Sequence, residues 1–419
     1  MKNGVAIIGA GHGGSQLAVA LRQEGYEGPI ALFSGETEVP YHKPPLSKTF
    51  LKTPDAKPQL LRAESVYVDN RVELRFGQRV QSIDSAGREL TLQDGSTASF
   101  DRLVLATGAK PRRLAVQGVD GDGVHYLRSA DDARALRSAL PSAQSVVVIG
   151  GGFIGLEAAA SLAMMGKQVA VVEAADRLLA RAVAPQISSF LADYHRSLGV
   201  RLLLGSAIEH LERDGARLRA VVTKAGERLD ADLVIVGIGA DADFDLARQA
   251  GCTIDNGVAV GPDMQSSVPN IYAIGDCVSY AHWLSGRSER LESVQNATDQ
   301  ARHAARSIMG RAAPYREVPW FWSDQGAVKL QMAGLSFGAD RFIANGTPDQ
   351  NSFSVYHFRG PKLVAVHSVN RPADHMLGRK LLATGMHVSE ALIVAGAPAI
   401  KAALASHEAE RQSLPAAAS

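Results

Sequence analysis

The chain has 419 residues, 46% hydrophobic and 21% charged, which excludes a disordered or collagen-like polypeptide and leaves room for about three domains of roughly 150 residues. Its 44 basic and 43 acidic side chains sum to a formal charge of +1, so no nucleic-acid partner is expected, because such binders carry a net basic stripe. Two cysteines, Cys252 and Cys277, exclude a disulfide framework, a tetrathiolate metal site and a C-x-x-C redox loop, and no metal is expected.

Taken in order, the chain opens on a short apolar run, Val5 to Ile8, that stops at Gly9. It is too short for a signal-peptide core and reads as a buried strand. A glycine turn and a helix follow, then a second strand, Ile30 to Phe33. Residues 88–92 alternate, and Leu103-Val104-Leu105-Ala106-Thr107-Gly108 is a buried strand ending in small residues. The opening then returns with an offset of 141 residues: Val5-Ala6-Ile7-Ile8-Gly9 reappears as Val146-Val147-Val148-Ile149-Gly150. Ala18, Leu21 and Gly25 return as Ala159, Leu162 and Gly166. By length alone the apolar stretch Ser145 to Gly166 would pass for a membrane helix, but its glycines predict strand, turn and helix, so no membrane span is expected. A strand from Gln168 ends at Glu173, and Asp232 to Gly239 closes the second unit. Asn270 to Asp276 is another strand, ending in Gly-Asp. From Pro319 aromatics cluster, and a hairpin with its turn at Arg359-Gly360-Pro361-Lys362 marks a separate α+β module. The last residues are small and polar, and a frayed tail is expected over 407–419.

Two βαβ units predict an α/β protein with two Rossmann-like dinucleotide-binding domains. Gly9, Gly11 and Gly14 form the first G-x-G-x-x-G, and Gly150, Gly152 and Gly155 the second. The first glycine of such a set makes the tight turn and the second lets a pyrophosphate reach the backbone. The third lets helix and strand pack closely, and the helix N-terminus faces the phosphates. An acid about 20 residues on takes the ribose hydroxyls. Glu36 lies 22 residues after Gly14, and Glu173 lies 18 after Gly155. A lone match is weak, because glycine turns also serve only to pack helices. Two matches, each between a strand and a helix and each with its acid, point to a flavin and a nicotinamide that exchange hydride. A carboxylate at Glu173 favours NADH over NADPH, since it repels a 2′-phosphate, although Arg177 and Arg181 downstream would soften that repulsion.

Further motifs carry a family resemblance over nearly the whole length. Pro40-Tyr41-His42-Lys43-Pro44-Pro45-Leu46-Ser47-Lys48, Ala106-Thr107-Gly108, Leu127-Arg128-Ser129-Ala130-Asp131-Asp132-Ala133, Ala273-Ile274-Gly275-Asp276 and Pro319-Trp320-Phe321-Trp322-Ser323-Asp324-Gln325 are the segments concerned. With them the chain resembles the FAD-dependent NADH:ferredoxin reductases of bacterial oxygenase and cytochrome P450 systems. These are the putidaredoxin-reductase and biphenyl-dioxygenase-reductase type, with a glutathione-reductase-like fold. The resemblance implies an FAD-binding domain from residues 1–113 and 245–319, an NAD-binding domain over 114–244 and a C-terminal α+β domain over 320–406. It implies that Gly9, Gly11 and Gly14 hold the FAD pyrophosphate, with Glu36 on the ribose and Lys43 by the adenine half. Val80, Ala106, Thr107, Gly108 and Arg128 would flank FAD, Asp276 would meet its ribityl chain, and Val294 would present backbone to the ring. Lys48 would lie near flavin N5. On the nicotinamide side it implies Gly150, Gly152, Phe153, Ile154, Gly155, Glu157 and Gly239, with Glu173 on the ribose.

In chemical terms the cofactor carries the hard step, and no triad or acid pair is needed. Lys48 and Glu157 are candidates for a charged pair across the flavin, and Trp320 is the candidate for a wall beside it. Trp320 and Trp322 are read as pointing to opposite faces of an extended strand. The expected partner is a [2Fe–2S] ferredoxin, met transiently by a cytoplasmic monomer or weak homodimer. Lys43, Lys329, Arg371, Arg379 and Lys380 are candidates for a local docking patch. Rubredoxin reductase and monodehydroascorbate-type reductase stay open as alternatives, as does a non-enzymatic flavoprotein related to apoptosis-inducing factor. Thiol-dependent branches of the fold do not, because no cysteine pair lies beside the first helix and no cysteine lies within residues 40–50.

Overall fold

The computed structural model describes residues 4–413, which fall into two compact units. The first comprises residues up to Arg113, Leu127–Arg137 and Gly239–Glu317, and the second Leu114–Tyr126, Ser138–Ile238 and the chain from Val318 onward. Gly239, counted with the nicotinamide domain on sequence, therefore belongs to the first unit.

In the first unit, five parallel strands run in the order Ile271–Ala273, Arg102–Leu105, Val5–Ile8, Ile30–Phe33 and Val72–Arg75. The register sets Val5 opposite Ile30 and Ile8 opposite Phe33. Val5–Ile8 and Ile30–Phe33 are buried at every position, as a parallel sheet covered on both faces requires. The helix His12–Gln23 covers one face with Leu17 and Leu21, both fully buried, and lies along a second helix, Val294–Ile308. A three-stranded antiparallel sheet, Val80–Asp84, Glu89–Leu92 and Thr97–Ser99, completes the repeated part.

The second unit repeats this plan. Its parallel strands run Arg201–Leu203, Gln168–Val172, Ser145–Ile149, Leu233–Val236 and Val124–Tyr126, and its three-stranded antiparallel sheet is Ile208–Asp214, Arg217–Thr223 and Arg228–Asp230. The repeat of Gly25 as Gly166 has a local cause. Gly25 and Gly166 stand just past the ends of the helices His12–Gln23 and Phe153–Met164 at φ +85° and +78°. The next residue's N–H reaches back to Leu21 O in one copy and to Leu162 O in the other, which is a Schellman ending.

From Trp320 the second unit adds a five-stranded antiparallel sheet in the order Trp320–Gln325, Val328–Gly334, Lys362–Val369, Ser352–Arg359 and Arg341–Thr347. The hairpin is present, with Arg359 paired to Lys362 across Gly360 and Pro361. The helix Ala397–Ser413 takes in residues 407–413 of the expected frayed tail, because Ala, Glu, Arg and Gln there favour helix. Residues 414–419 lie outside the described residues. No helix among the described residues is long and apolar enough to cross a membrane, and no cluster of metal-ligating side chains occurs among them.

Three histidines, His357, His367 and His375, are buried in the C-terminal part of the second unit. The His357 and His367 rings stand 4.1 Å apart and neither has a hydrogen-bond partner at its nitrogens. Burial pulls His357 and His375 down to about 4 from an ordinary value near 6.5, and lowers His367 well below that ordinary value. Their folded values lie below the unfolded one, so the unfolded chain takes up protons first as the pH falls. Stability is therefore complete above pH 6.5 and is lost as the pH drops from there toward 4. Each histidine contributes up to about 1.4 kcal/mol per pH unit in that window. Urea midpoints are expected to fall steeply between pH 7 and 5, and a flat profile would contradict this.

Candidate functional site

The first glycine set is closed by backbone contacts. Gly9 has φ +109°, and a Cβ there would stand 2.2 Å from Ala106 O. At Gly14 it would stand 1.9 Å from Gly9 O. Strand end, turn and helix therefore touch at backbone distance, and Ala106 belongs to the same knot. At Gly11, by contrast, a Cβ would meet nothing within 4 Å. Gly11 is also the N-cap of the helix His12–Gln23, which has no side-chain cap. Unpaired N–H groups thus face open space, which is the condition for binding a phosphate.

The second set has the same form in the second unit. Gly150, at φ +107°, would place a Cβ 2.4 Å from Gly237 O, and Gly155 would place one 2.3 Å from Gly150 O. Gly152 has only Gly237 O, at 3.8 Å, and caps the helix Phe153–Met164 without a side-chain bond.

The two acids behave differently. Glu173 directly follows its strand and accepts hydrogen bonds from the N–H groups of Gly151 (2.6 Å) and Ala175 (2.7 Å). A carboxylate has about four acceptor positions, so two remain for ribose hydroxyls. The Arg177 guanidinium donates to the carbonyls of Val183 (2.9 Å) and Ala180. Glu36 lies three residues beyond its strand and is already engaged. Lys43 Nζ lies 2.9 Å from it, and the Tyr41 hydroxyl donates to it. Tyr41 in turn accepts from Ala130 N–H at 2.8 Å. Burial pulls Lys43 below the usual lysine value, with Glu36 opposing the shift, and pushes the Tyr41 phenol up. The motif around Tyr41 shows no role for it, and only the folded loop has it bridging two segments.

Around the first set the structure gathers several of the expected residues. Gly108, at φ +74°, lies against the Arg128 guanidinium, which stands 3.7 Å from the Asp276 carboxylate. Burial raises the Asp276 carboxyl above the usual carboxylate range, and Arg128 opposes the shift. The Thr107 hydroxyl donates to Asp243 O, and Gly239 O accepts from Arg112 N–H at 3.0 Å. His12, the first residue of the helix, was not foreseen. Its Nε2 has no partner, and burial followed by repulsion from His42, Lys43 and Arg128 lowers the ring to about 4. Val80 is buried in the core of this unit. Val294 opens the helix Val294–Ile308, capped by Ser293, whose hydroxyl accepts from Asn296 N–H. Lys48 follows the Pro44–Ser47 turn and its Nζ donates to Pro44 O at 3.1 Å.

In the second unit Phe153 packs on Phe321, with ring centroids 4.7 Å apart, and Ile154 is exposed. Glu157 is 6% exposed and accepts from the Ser323 hydroxyl at 2.7 Å. The reading of the tryptophans is corrected here. Trp320 and Trp322 share a face, their rings 5.6 Å apart, because residues two apart on a strand point the same way. Trp320 also meets the His375 ring edge-on at 5.7 Å and carries the Arg379 guanidinium 5.0 Å above it.

Residues 3–301 match the family described as pyridine nucleotide-disulphide oxidoreductase, and residues 320–404 match the reductase C-terminal family. The chain belongs to the pyridine nucleotide-disulphide oxidoreductase family. It is 44% identical to rhodocoxin reductase of Rhodococcus erythropolis over 91% of this chain and 90% of that one. The crystal structure of the ferredoxin reductase for the CYP199A2 system from Rhodopseudomonas palustris superimposes with a TM-score of 0.93 at 42% identity, covering 96% of this chain and 100% of that one. The covalent putidaredoxin reductase–putidaredoxin complex gives 0.92 at 37%, covering 97% and 99%. This family member has a glutathione-reductase-like fold and is an oxidoreductase. The family's name mentions a disulphide, yet both cysteines here are buried and unpaired. The residues present fit two dinucleotides, since each unit offers an open glycine backed by an uncapped helix.

Proposed function

We propose that this chain is an NADH-dependent FAD flavoprotein that passes electrons singly to a [2Fe–2S] ferredoxin serving an oxygenase. The observation that carries the reading is the pair of matching cradles in a chain whose only two cysteines are buried. When bound, FAD takes two electrons from NADH as hydride and releases them one at a time, as an iron–sulfur acceptor requires.

The chain's own residues hold and tune. Gly9, Gly11 and Gly14 hold the FAD pyrophosphate, Glu36 and Lys43 the adenosine side. Val80, Ala106, Thr107, Gly108, Arg128, Asp276 and Val294 line the rest, and Lys48 brings positive charge to the ring. Gly150, Gly152 and Gly155 hold the NADH pyrophosphate with Glu173 on its ribose, while Phe153, Ile154, Glu157 and Gly239 border the nicotinamide and Trp320 walls the flavin. The domain division over 1–113 with 245–319, 114–244 and 320–406 belongs to the same proposal, as does a cytoplasmic monomer or weak homodimer. Lys43 and Arg371 are engaged by Glu36 and Asp374, which leaves Lys329, Arg379 and Lys380 to steer an acidic ferredoxin.

The test is an absorbance spectrum followed by turnover. Flavin bands should bleach on adding NADH, and NADH-driven cytochrome c reduction should accelerate with a [2Fe–2S] ferredoxin. Greater acceleration with rubredoxin would make the protein a rubredoxin reductase, and no bleaching would point to a non-enzymatic flavoprotein. The carboxylate of Glu173 carries the coenzyme choice. Wild-type kcat/KM is expected to favour NADH by at least about tenfold, or about 1.4 kcal/mol, and Glu173→Ala to narrow that gap. A wild-type preference for NADPH would overturn this.

A further inference from the structure

We propose that Ser323 is a positioning residue for Glu157, and that Gln325 and His195 fix the direction in which its hydroxyl points. The proposal rests on the reading of Glu157 as a nicotinamide-side residue. On the strand Trp320–Gln325, residues Phe321, Ser323 and Gln325 share the face opposite the two tryptophans. Phe321 meets Phe153, Ser323 meets Glu157 on the helix Phe153–Met164, and Gln325 meets His195 on the helix Pro185–Ser197. Ser323, Gln325 and His195 are fully buried.

The hydrogen positions in this chain are determined by elimination. Ser323 Oγ lies 2.7 Å from Glu157 Oε1, Gln325 Nε2 lies 3.3 Å from Ser323 Oγ, and His195 Nε2 lies 2.9 Å from Gln325 Oε1. Burial lowers the His195 ring, so it is neutral and has a single N–H. Nδ1 has no partner, and a buried N–H without one is rare, so the proton sits on Nε2 and is donated to the Gln325 carbonyl. The Gln325 amide then donates to Ser323, and the serine's remaining proton goes to Glu157. Every donor points toward the carboxylate.

A one-way donor chain holds its final acceptor in one rotamer. That suits a group beside a ring that becomes positively charged as NADH gives up hydride, since a fixed anion stabilises that charge most where it develops. The strand's polar residues thus prepare Glu157 without touching the nucleotide.

The test is stopped-flow reduction of the holoenzyme by NADH. Ser323→Ala should lower the limiting rate about tenfold, with little change in the NADH concentration giving half the limiting rate. Ser323→Thr, which keeps the hydroxyl, should restore the rate. Gln325→Met should lower the limiting rate by less and serves if Ser323→Ala folds poorly. Glu157→Gln should lower it at least as much as Ser323→Ala does. A wild-type limiting rate in Ser323→Ala, with a lowered one in Glu157→Gln, would overturn the positioning role and leave the Glu157 reading intact. Wild-type rates in Glu157→Gln would overturn the Glu157 reading itself.

Discussion

Gly155→Ala protein is expected to purify yellow, with its flavin in place, and yet not to bleach when NADH is added. The added Cβ would lie 2.3 Å from Gly150 O, and both partners are backbone at the junction of a strand and a helix, so no side chain can swing away. Relieving the contact means prising the helix Phe153–Met164 off its strand, at about 3 kcal/mol or more. Gly14→Ala makes the equivalent clash at 1.9 Å in the first unit, so it should lose flavin instead. Gly152→Ala separates packing from binding. Its Cβ has room, and its backbone is ordinary for alanine at φ −82°. It should keep the wild-type thermal midpoint while NADH binding weakens at least about tenfold, since the methyl fills the space the pyrophosphate needs. An unchanged NADH affinity in Gly152→Ala would remove that open glycine from the binding site.

The second large effect is expected at Lys48. Replacing it by Ala should slow flavin reduction by NADH by about 100-fold or more, with flavin content unchanged. The reason is electrostatic: a cation near the ring offsets the negative charge gained on reduction. Its Nζ donates to Pro44 O at 3.1 Å, within a turn stiffened by Pro44 and Pro45. Lys48→Arg should recover part of the rate, since charge rather than shape is what matters. Equal stopped-flow traces for Lys48→Ala and wild type would end the assignment.

Much of this fold was legible because its strongest signals are local and occur twice. Gly9 and Gly150, Gly14 and Gly155, and Gly25 and Gly166 each mark a backbone contact or a positive φ that another residue would strain, so they mark the turns in the sequence. What stayed hidden depends on contacts distant in sequence. Tyr41 shows its role only when Glu36 and the N–H of Ala130 come to either side of its hydroxyl. Ser323 and Gln325 had no role of their own in the sequence motif that contains them, whereas the fold buries both, with Glu157 and His195 as their partners. The Trp320–Trp322 reading needed only the two-residue period of a strand. The helix through residues 407–413 was concealed by counting small residues rather than weighing helix propensity.

The two-faced strand Trp320–Gln325 has a consequence for inheritance. One residue inserted or deleted just before Trp320 would exchange its faces, moving the tryptophans toward Phe153 and Glu157 and the serine toward His375 and Arg379. The stretch can thus accept substitutions but not a change of length. A chimera that grafts a foreign tail from residue 318 onward must also carry a hydroxyl at position 323, or Glu157 loses the donor that stands 2.7 Å from it.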